Sequence, residues 1–271
     1  MLASINELSR AGESLRRQDL RSSSPQSGIQ DAMAASSRAN LAAVVFAIVI
    51  PSVVTLAYFV VVAGQPASLQ QSVAVIGKVI QFAFPAVWVF VVLREKVGCP
   101  CPTRRGIGEG VGFGLLVAGS MLAVALLWLK PVGFFDGPSE AIRAKIQDLG
   151  LNTVAKYAAA GLFYSLCHSL MEEYYWRWFV FRRLRDFARP PTAIAISSLG
   201  FMAHHVIVLA VFFGWASPAT YLFSAAVAIG GAVWAWIYQR SDSLYGPWFS
   251  HLLVDAAIFT IGYDLARDLF I

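Results

Sequence analysis

Three short clusters of ionisable residues interrupt long apolar stretches in the second half of the chain. The clusters are Glu172, Glu173 and Arg177; His204 and His205; and His251 and Asp255. Carboxylates and imidazoles are among the side chains that most often transfer protons in catalysis. Because ionisable groups are costly inside apolar helices, they usually face an interior site when they occur there. The clusters therefore predict acid–base chemistry of the kind that a membrane-embedded hydrolase performs.

The two adjacent glutamates are expected to have different tasks. Successive residues of a helix point about 100° apart, so Glu172 and Glu173 face different neighbours. Glu173 and Arg177 have the i, i+4 spacing of an ion pair with the acid on the N-terminal side. This pairing would leave Glu172 in a desolvated pocket, where a carboxylate can act as a general base. The alternative makes both acids structural bridges to other helices.

The third cluster also has helical spacing. His251 and Asp255 are i and i+4, so both side chains can face one cavity. Asp255 is expected to hydrogen-bond the imidazole and fix its tautomer, or to add a polar group to the site.

The remaining histidines are candidates of unequal weight. His205 is the predicted site histidine of its helix, and its neighbour His204 points elsewhere, so one of the two is expected to be a bystander. His168 lies four residues before Glu172 and shares its helix face, which makes it a further candidate. The alternative for each is an ordinary hydrogen bond between helices.

The composition places these clusters in a membrane protein. Of the 271 residues, 58% are hydrophobic and only 14% are charged, against roughly 25% charged in soluble domains. The apolar residues form seven runs, each near the ~20 residues that cross a bilayer as a helix. The runs are about 41–64, 72–93, 110–129, 153–175, 190–213, 218–238 and 245–263. They predict an all-α, polytopic membrane bundle of about seven helices, and they exclude a soluble all-α protein.

The basic residues predict the orientation of that bundle. With seven spans, fourteen Lys and Arg residues fall on one side of the membrane and five on the other. By the positive-inside rule, the N-terminus is expected to be cytoplasmic. Membrane orientation therefore explains the net charge of +5, and no nucleic-acid partner is expected.

Three regions are expected along the chain. Residues 1–39 form a polar, cytoplasmic tail that is expected to be partly disordered, because it has little apolar surface to bury. Residues 40–150 hold the N-terminal transmembrane helices and an interfacial helix near 139–149. Residues 151–271 form the catalytic core, and its three clusters lie on the predicted fourth, fifth and seventh helices.

The clusters resemble the CPBP family of intramembrane proteases, which includes the type II CAAX prenyl proteases and bacterial Abi proteins. That family has Glu-Glu-x-x-x-Arg, Phe-x-x-x-His and His-x-x-x-Asn/Asp motifs on successive core helices. The matching residues are Glu172, Glu173 and Arg177; Phe201 and His205; and His251 and Asp255. Their order, spacing and helical setting agree over roughly residues 150–260.

The resemblance implies a role for each matched residue. Glu172 would be the catalytic base and, with His205, would activate a water that attacks a peptide carbonyl. His251 and Asp255 would occupy the positions that stabilise the oxyanion, while Glu173, Arg177 and Phe201 would support the site. The last position is commonly Asn, which can donate to an oxyanion. Asp255 is therefore expected either to be protonated or to orient His251.

Metal dependence stays open at the level of sequence. Glu172, His205 and His251 could supply three zinc ligands and leave one position for water. Against zinc, Glu173 is expected to be occupied by Arg177, and the chain has no His-Glu-x-x-His helix. Metal-independent, glutamic-type catalysis without a cofactor is favoured.

The expected partners are the lipid bilayer and a membrane-anchored protein or hydrophobic C-terminal peptide as substrate. The sequence leaves the oligomeric state open. The expected location is a membrane crossed several times, which in a bacterium would be the inner membrane. Two alternatives remain: a transporter with a proton or ion pathway, and an inactive family member that acts as a scaffold.

Overall fold

The computed structural model describes residues 25–96 and 102–270, and all regular secondary structure in these ranges is helical. The helices are α1 (Pro25–Leu56, extended by Ala57–Val61), α2 (Ala67–Ala86, extended by Val87–Val92), α3 (Arg104–Val124, extended by Ala125–Leu129), α4 (Asp136–Asp148), α5 (described below), α6 (Pro190–Phe213), α7 (Pro218–Ser241) and α8 (Tyr245–Ala266, followed by Arg267–Leu269). This confirms the predicted all-α fold.

The chain divides into two compact units, Met1–Ala43 and Val44–Ile271. Of the first unit, the structure describes the beginning of helix α1, from Pro25 onward. Residues 1–24 of the predicted polar tail lie outside the described residues. The second unit holds every residue of the three clusters.

Six of the described helices are long and apolar enough to cross a membrane. They are Ser36–Val61, Ala67–Val92, Arg104–Leu129, Pro190–Phe213, Pro218–Ser241 and Tyr245–Leu269. Their large apolar side chains are widely exposed; Val61, Leu116 and Leu222, for example, are 68%, 67% and 68% exposed. A soluble protein rarely presents so much apolar surface, so this arrangement fits an integral, multi-pass membrane protein.

The stretch predicted as the fourth span is not one of the six. It lies in helix α5, a continuous helical run over residues 154–184 that carries Glu172, Glu173 and Arg177. The run consists of α-helical Val154–Phe163, Ser169–Glu173 and Arg182–Leu184, with the wider π-helical turns Tyr164–His168 and Tyr174–Phe181 between them. Irregular turns of this kind are frequent at functional sites.

Helix α5 is the most deeply buried element around the first cluster. Its aromatic residues Tyr175, Trp176 and Phe179 are at most 1% exposed and belong to the main hydrophobic cluster. The Tyr175 hydroxyl donates a hydrogen bond of 2.6 Å to the backbone carbonyl of Ala47. This packing fixes the rotation of α5, and therefore the directions in which its two glutamates point.

An ion pair fixes the end of α5. The Arg183 guanidinium binds both carboxylate oxygens of Glu95, which follows the second span, with the Nη1–Oε1 distance at 2.9 Å. The hydrogen bond from Arg183 lowers the pKa of Glu95 below its ordinary value, against the smaller opposing effect of burial. The pair therefore holds the loop after α2 to α5 at neutral pH.

Helices α3 and α8 approach each other along a row of small residues. Gly106, Gly110 and Gly114 are buried on one face of α3. A Cβ atom on Gly110 would collide with the backbone of Gly246, and one on Gly114 would come within 2.8 Å of the Ser250 Cα. Small residues let helix backbones approach this closely, so they set the position of the part of α8 that carries the third cluster.

Helix α4, Asp136–Asp148, has nearly the same bounds as the interfacial helix predicted near 139–149. Its Arg143 guanidinium pairs with Asp268 at 3.0 Å and donates to the Leu265 carbonyl at 3.2 Å. Lys130, just before α4, pairs with Asp264. These contacts attach α4 to the end of α8, while the location of α4 at a membrane surface stays a prediction.

Candidate active site

The Glu172 carboxylate is surrounded by imidazoles from three helices. Its Oε1 lies 3.9 Å from His168 Nε2 and 3.8 Å from His204 Nε2, and its Oε2 lies 3.6 Å from His251 Nε2. The residue is only 4% exposed. These distances are longer than direct hydrogen bonds, and polar groups at such separations are often bridged by water. The three imidazoles therefore surround the carboxylate without a direct hydrogen bond to it.

Glu173 has closer contacts than Glu172. Its Oε1 lies 3.1 Å from Arg177 Nη1, which is the ion pair that the i, i+4 spacing predicts. The same oxygen accepts a hydrogen bond of 2.8 Å from His251 Nδ1. Both members of the ion pair are buried, with Glu173 0% and Arg177 2% exposed. Charges this deep need a partner of opposite sign, so Glu173 and Arg177 hold each other in place.

Arg177 extends this network to two further helices. Its Nη2 donates a hydrogen bond of 3.2 Å to the Gly231 carbonyl on α7. Its guanidinium lies over the rings of Phe201 and Trp234, at 4.9 and 5.1 Å from their centroids. Cation–π contacts are strongest where the cation is desolvated. Arg177 therefore links α5 to the phenylalanine of the second motif on α6.

A hydrogen bond and a stacking contact hold the imidazole ring of His251. Its Nδ1–H donates to Glu173, which directs Nε2 toward Glu172 and fixes the tautomer. Its ring stacks on Trp234, with centroids 4.2 Å apart and planes 17° apart. The Trp234 Nε1–H in turn donates to Ser250 Oγ at 2.8 Å. The imidazole is therefore oriented from one edge and one face.

Asp255 lies near Nε2 of His251, the ring nitrogen that also faces Glu172. Its Oδ1 lies 3.6 Å from His251 Nε2, and its side chain is 17% exposed. Of the two roles expected for Asp255, the hydrogen bond to the imidazole is made by Glu173 at the other ring nitrogen, which leaves the role of an added polar group. The physical reason is packing, because the α5 carboxylate reaches Nδ1 while Asp255 shares the Nε2 side with Glu172. Asp255 therefore adds a second oxygen group to the pocket.

The two histidines of α6 have different partners. His205 Nδ1–H donates to the Phe201 carbonyl at 2.8 Å, which leaves Nε2 as an acceptor. His204 lies parallel to the Trp176 ring, with centroids 5.8 Å apart, and is the α6 histidine within 4 Å of Glu172. Within residues 25–96 and 102–270, His204 Nδ1 has no hydrogen-bond partner. The two ring centroids are 4.2 Å apart, and the histidine within 4 Å of Glu172 is His204 and not the predicted His205.

The structure adds groups that the sequence reading did not assign. The Glu173–His251 bond and the stacking of Trp234 on His251 both join residues far apart in the chain. Trp234 lies near the end of an apolar run, a position typical of aromatic residues at membrane interfaces. Nothing in its local sequence distinguishes it from those. Only the packing of α5, α7 and α8 brings these groups together.

The residues proposed as zinc ligands do not form a metal site. Within the part of the chain that the structure describes, no group of three or more His, Cys, Asp and Glu side chains is arranged to hold a metal ion. Zinc needs ligand nitrogens and oxygens converging at about 2 Å on one point. The set of Glu172, His205 and His251 therefore gives zinc no support.

The fold and the site define a class of protein: an integral membrane bundle of helices that gathers a glutamate pair and several histidines in its interior. Residues 154–257 match the family model described as Type II CAAX prenyl endopeptidase Rce1-like. This confirms the family prediction, since the matched segment runs from the start of α5 to the middle of α8 and includes all three motifs. No curated protein and no solved structure matches the chain. The match favours a protease over the transporter and scaffold alternatives.

Proposed function

We propose that this protein is an intramembrane endopeptidase that hydrolyses a peptide bond with a water activated by Glu172. The observation that best supports this is that three imidazoles surround the buried Glu172 carboxylate at 3.6–3.9 Å. A base in a dry, preorganised site loses little energy to reorganisation during the reaction. The catalytic core lies within residues 151–271, and the reaction is of the glutamic type.

In the proposed mechanism, Glu172 takes a proton from a bound water whose oxygen attacks the peptide carbonyl. His205 orients that water, because its Nδ1–H is committed to Phe201 and its Nε2 accepts a hydrogen bond. The tetrahedral intermediate then collapses as the C–N bond breaks, and Glu172 returns its proton to the leaving nitrogen. The products are a peptide with a new carboxylate and a peptide with a new amine.

His251 has the position of the oxyanion donor. Its Nδ1–H is used by Glu173, so its Nε2 donates only when the ring is an imidazolium. The Glu173 carboxylate and the nearby Asp255 oxygen offset that positive charge. A fixed donor aimed at developing negative charge contributes about 3–4 kcal/mol in other hydrolases. Asp255 therefore supports His251 electrostatically and does not itself donate.

The substrate is a membrane-anchored protein or a hydrophobic C-terminal peptide that reaches the site from the bilayer. The N-terminus and the pole rich in Lys and Arg face the cytoplasm, according to the positive-inside rule. In a bacterium this location is the inner membrane. The exposed apolar surface of the six spans is the part that contacts lipid.

The proposal is tested with the purified full chain in detergent and a library of apolar peptides, with products read by mass spectrometry. Glu172→Gln is expected to lower turnover by about 10³-fold, as loss of a general base does. Glu140→Gln, which alters an exposed glutamate of α4, serves as the matched control and keeps wild-type turnover. A chelator is expected to leave turnover unchanged. Wild-type activity in the Glu172 variant would remove the assignment.

A further inference from the structure

A lysine lies near the middle of a membrane span that carries none of the three motifs. Lys78 is the twelfth residue of the span Ala67–Val92. An ammonium group at this depth is costly unless an anion or water accompanies it. On the same helix face, one turn further on, Gln81 is buried, and neither of its amide atoms has a hydrogen-bond partner within the described ranges. This face of α2 therefore carries a lysine and an amide whose polar atoms lack hydrogen-bond or ion-pair partners among the described residues.

The face of α2 that carries Lys78 is turned toward the active site. The Lys78 Nζ lies 5.3 Å from the centroid of the Phe82 ring. That ring packs edge-on against His168 at 5.9 Å and against Tyr175 at 6.1 Å. His168 then reaches Glu172 at 3.9 Å. Lys78 is thus one layer of side chains away from the Glu172 carboxylate.

Lys78 is not part of an ion pair within residues 25–96 and 102–270. The lysines and arginines that do pair with carboxylates there are Arg105, Lys130, Arg143, Arg177, Arg183 and Arg240. Arg177, the other cation near the site, is paired with Glu173 and donates a hydrogen bond to the Gly231 carbonyl. Lys78 is therefore an ammonium group beside the site for which the described residues supply no ion-pair partner.

We propose that Lys78 binds the C-terminal carboxylate of the peptide substrate and thereby selects peptides with a free C-terminus. The inference rests on the proposed function and names the residue that recognises the substrate's end. An apolar peptide has one ionised acidic group that its sequence cannot remove, the terminal carboxylate, and a desolvated ammonium is the group that stabilises it. The Phe82 ring and His168 separate this charge from Glu172, so the carbonyl under attack and the peptide end occupy different places.

The test compares one short acylated apolar peptide in two forms, with a C-terminal carboxylate and with a C-terminal carboxamide. Both are added to the full chain in detergent, as wild type, Lys78→Met and Lys78→Arg. Lys156→Met, which removes an exposed lysine at the start of α5, is the control for loss of one positive charge. The wild type is expected to prefer the carboxylate by roughly tenfold or more in kcat/KM, mainly through KM, as a desolvated charge-assisted contact allows.

A binding measurement makes the result independent of turnover. Dissociation constants for the two peptides are measured on Glu172→Gln and on Glu172→Gln combined with Lys78→Met. The preference for the carboxylate is expected in the first protein and is expected to fall to within about twofold in the second. Absence of cleavage by the wild type would remove the proposed function, while this binding preference would still decide the role of Lys78.

Two results would overturn the proposal. One is an equal affinity of the Lys78-containing protein for the carboxylate and the carboxamide. The other is a Lys78→Met variant that loses the same factor with both peptides while the preference persists, because Lys78 would then act only on the charge of Glu172. Retention of the preference in Lys78→Arg and in Lys156→Met supports the proposal, since both keep the positive charge at position 78.

Discussion

Glu172 and Glu173 are neighbours in sequence and both are buried, yet their surroundings differ in kind. Glu173 has its charge met at 2.8 and 3.1 Å by His251 and Arg177. Glu172 has three imidazoles at 3.6–3.9 Å, and no lysine or arginine of the described ranges forms an ion pair with it. One carboxylate is thus part of the framework, and the other keeps its oxygens available for a reacting molecule.

The difference explains how one helix can hold a structural acid beside the acid that we propose as the catalytic base. Because successive residues diverge by about 100° around the axis, Glu173 faces the α7–α8 side while Glu172 faces the histidines. A buried ion pair contributes little net stability compared with an apolar pair, but it fixes geometry and is costly to break. Glu173 therefore orients His251, and the proposed role of Glu172 depends on that orientation.

The largest effect in this comparison is expected from Glu173→Gln. Loss of the carboxylate leaves the Arg177 guanidinium buried without a counter-charge, which destabilises the fold by about 3–5 kcal/mol. It also frees the His251 tautomer, so turnover falls. Thermal unfolding in detergent and peptide turnover measure the two effects.

A double variant separates stability from chemistry. Glu173→Gln combined with Arg177→Met removes both charges, and it is expected to recover most of the lost stability because an uncharged pair needs no counter-ion. Turnover should stay low, since His251 still lacks its carboxylate. Recovery of wild-type turnover in the double variant would show that Glu173 serves only to neutralise Arg177.

A smaller effect is expected from the two histidines of α6, taken one at a time. His205→Ala is expected to lower kcat by about 10²-fold, as loss of a group that assists proton transfer does. His204→Ala should cost about tenfold, because His204 contacts Glu172 without a fixed tautomer and acts by positioning it. Steady-state kinetics on one peptide compare the two variants. The reverse order would make His204 the histidine that handles the water.

The smallest effect is expected from Asp255→Asn. The amide keeps the shape of the carboxyl group and can donate to an oxyanion, while it removes a negative charge that helps to stabilise the His251 imidazolium. The two consequences oppose each other, so kcat/KM should change by less than about fivefold, or ~1 kcal/mol. A loss as large as that of Glu172→Gln would show that the Asp255 charge is essential to the reaction.

Local spacing was enough to predict part of this site. The Glu173–Arg177 pair follows from i, i+4 geometry, and the structure has it at 3.1 Å. The Glu173–His251 bond could not be predicted, because it joins residues on different helices and depends on how α5 is rotated against α8. The bond between His205 and the Phe201 carbonyl is also local, at i, i−4, and it was not predicted.

The fold was predictable at the level of element type, since long apolar runs specify helices. The ends of those helices were less predictable: α3 was expected from about residue 110 and begins at Arg104, where the Thr103 hydroxyl accepts the Gly106 N–H at 3.2 Å. Hydropathy alone misses such a polar cap. It also treats α5 as an ordinary span, although its charged and aromatic residues make it the buried centre of the bundle.

The backbone contact between Gly110 and Gly246 gives the N-terminal half of the chain control over a reaction for which it supplies none of the three motifs. A single added methyl group at Gly110 would wedge the two helices apart and carry the imidazole of His251 away from its acid. The volume of the side chain at position 110 therefore controls the distance between α3 and the helix that carries His251.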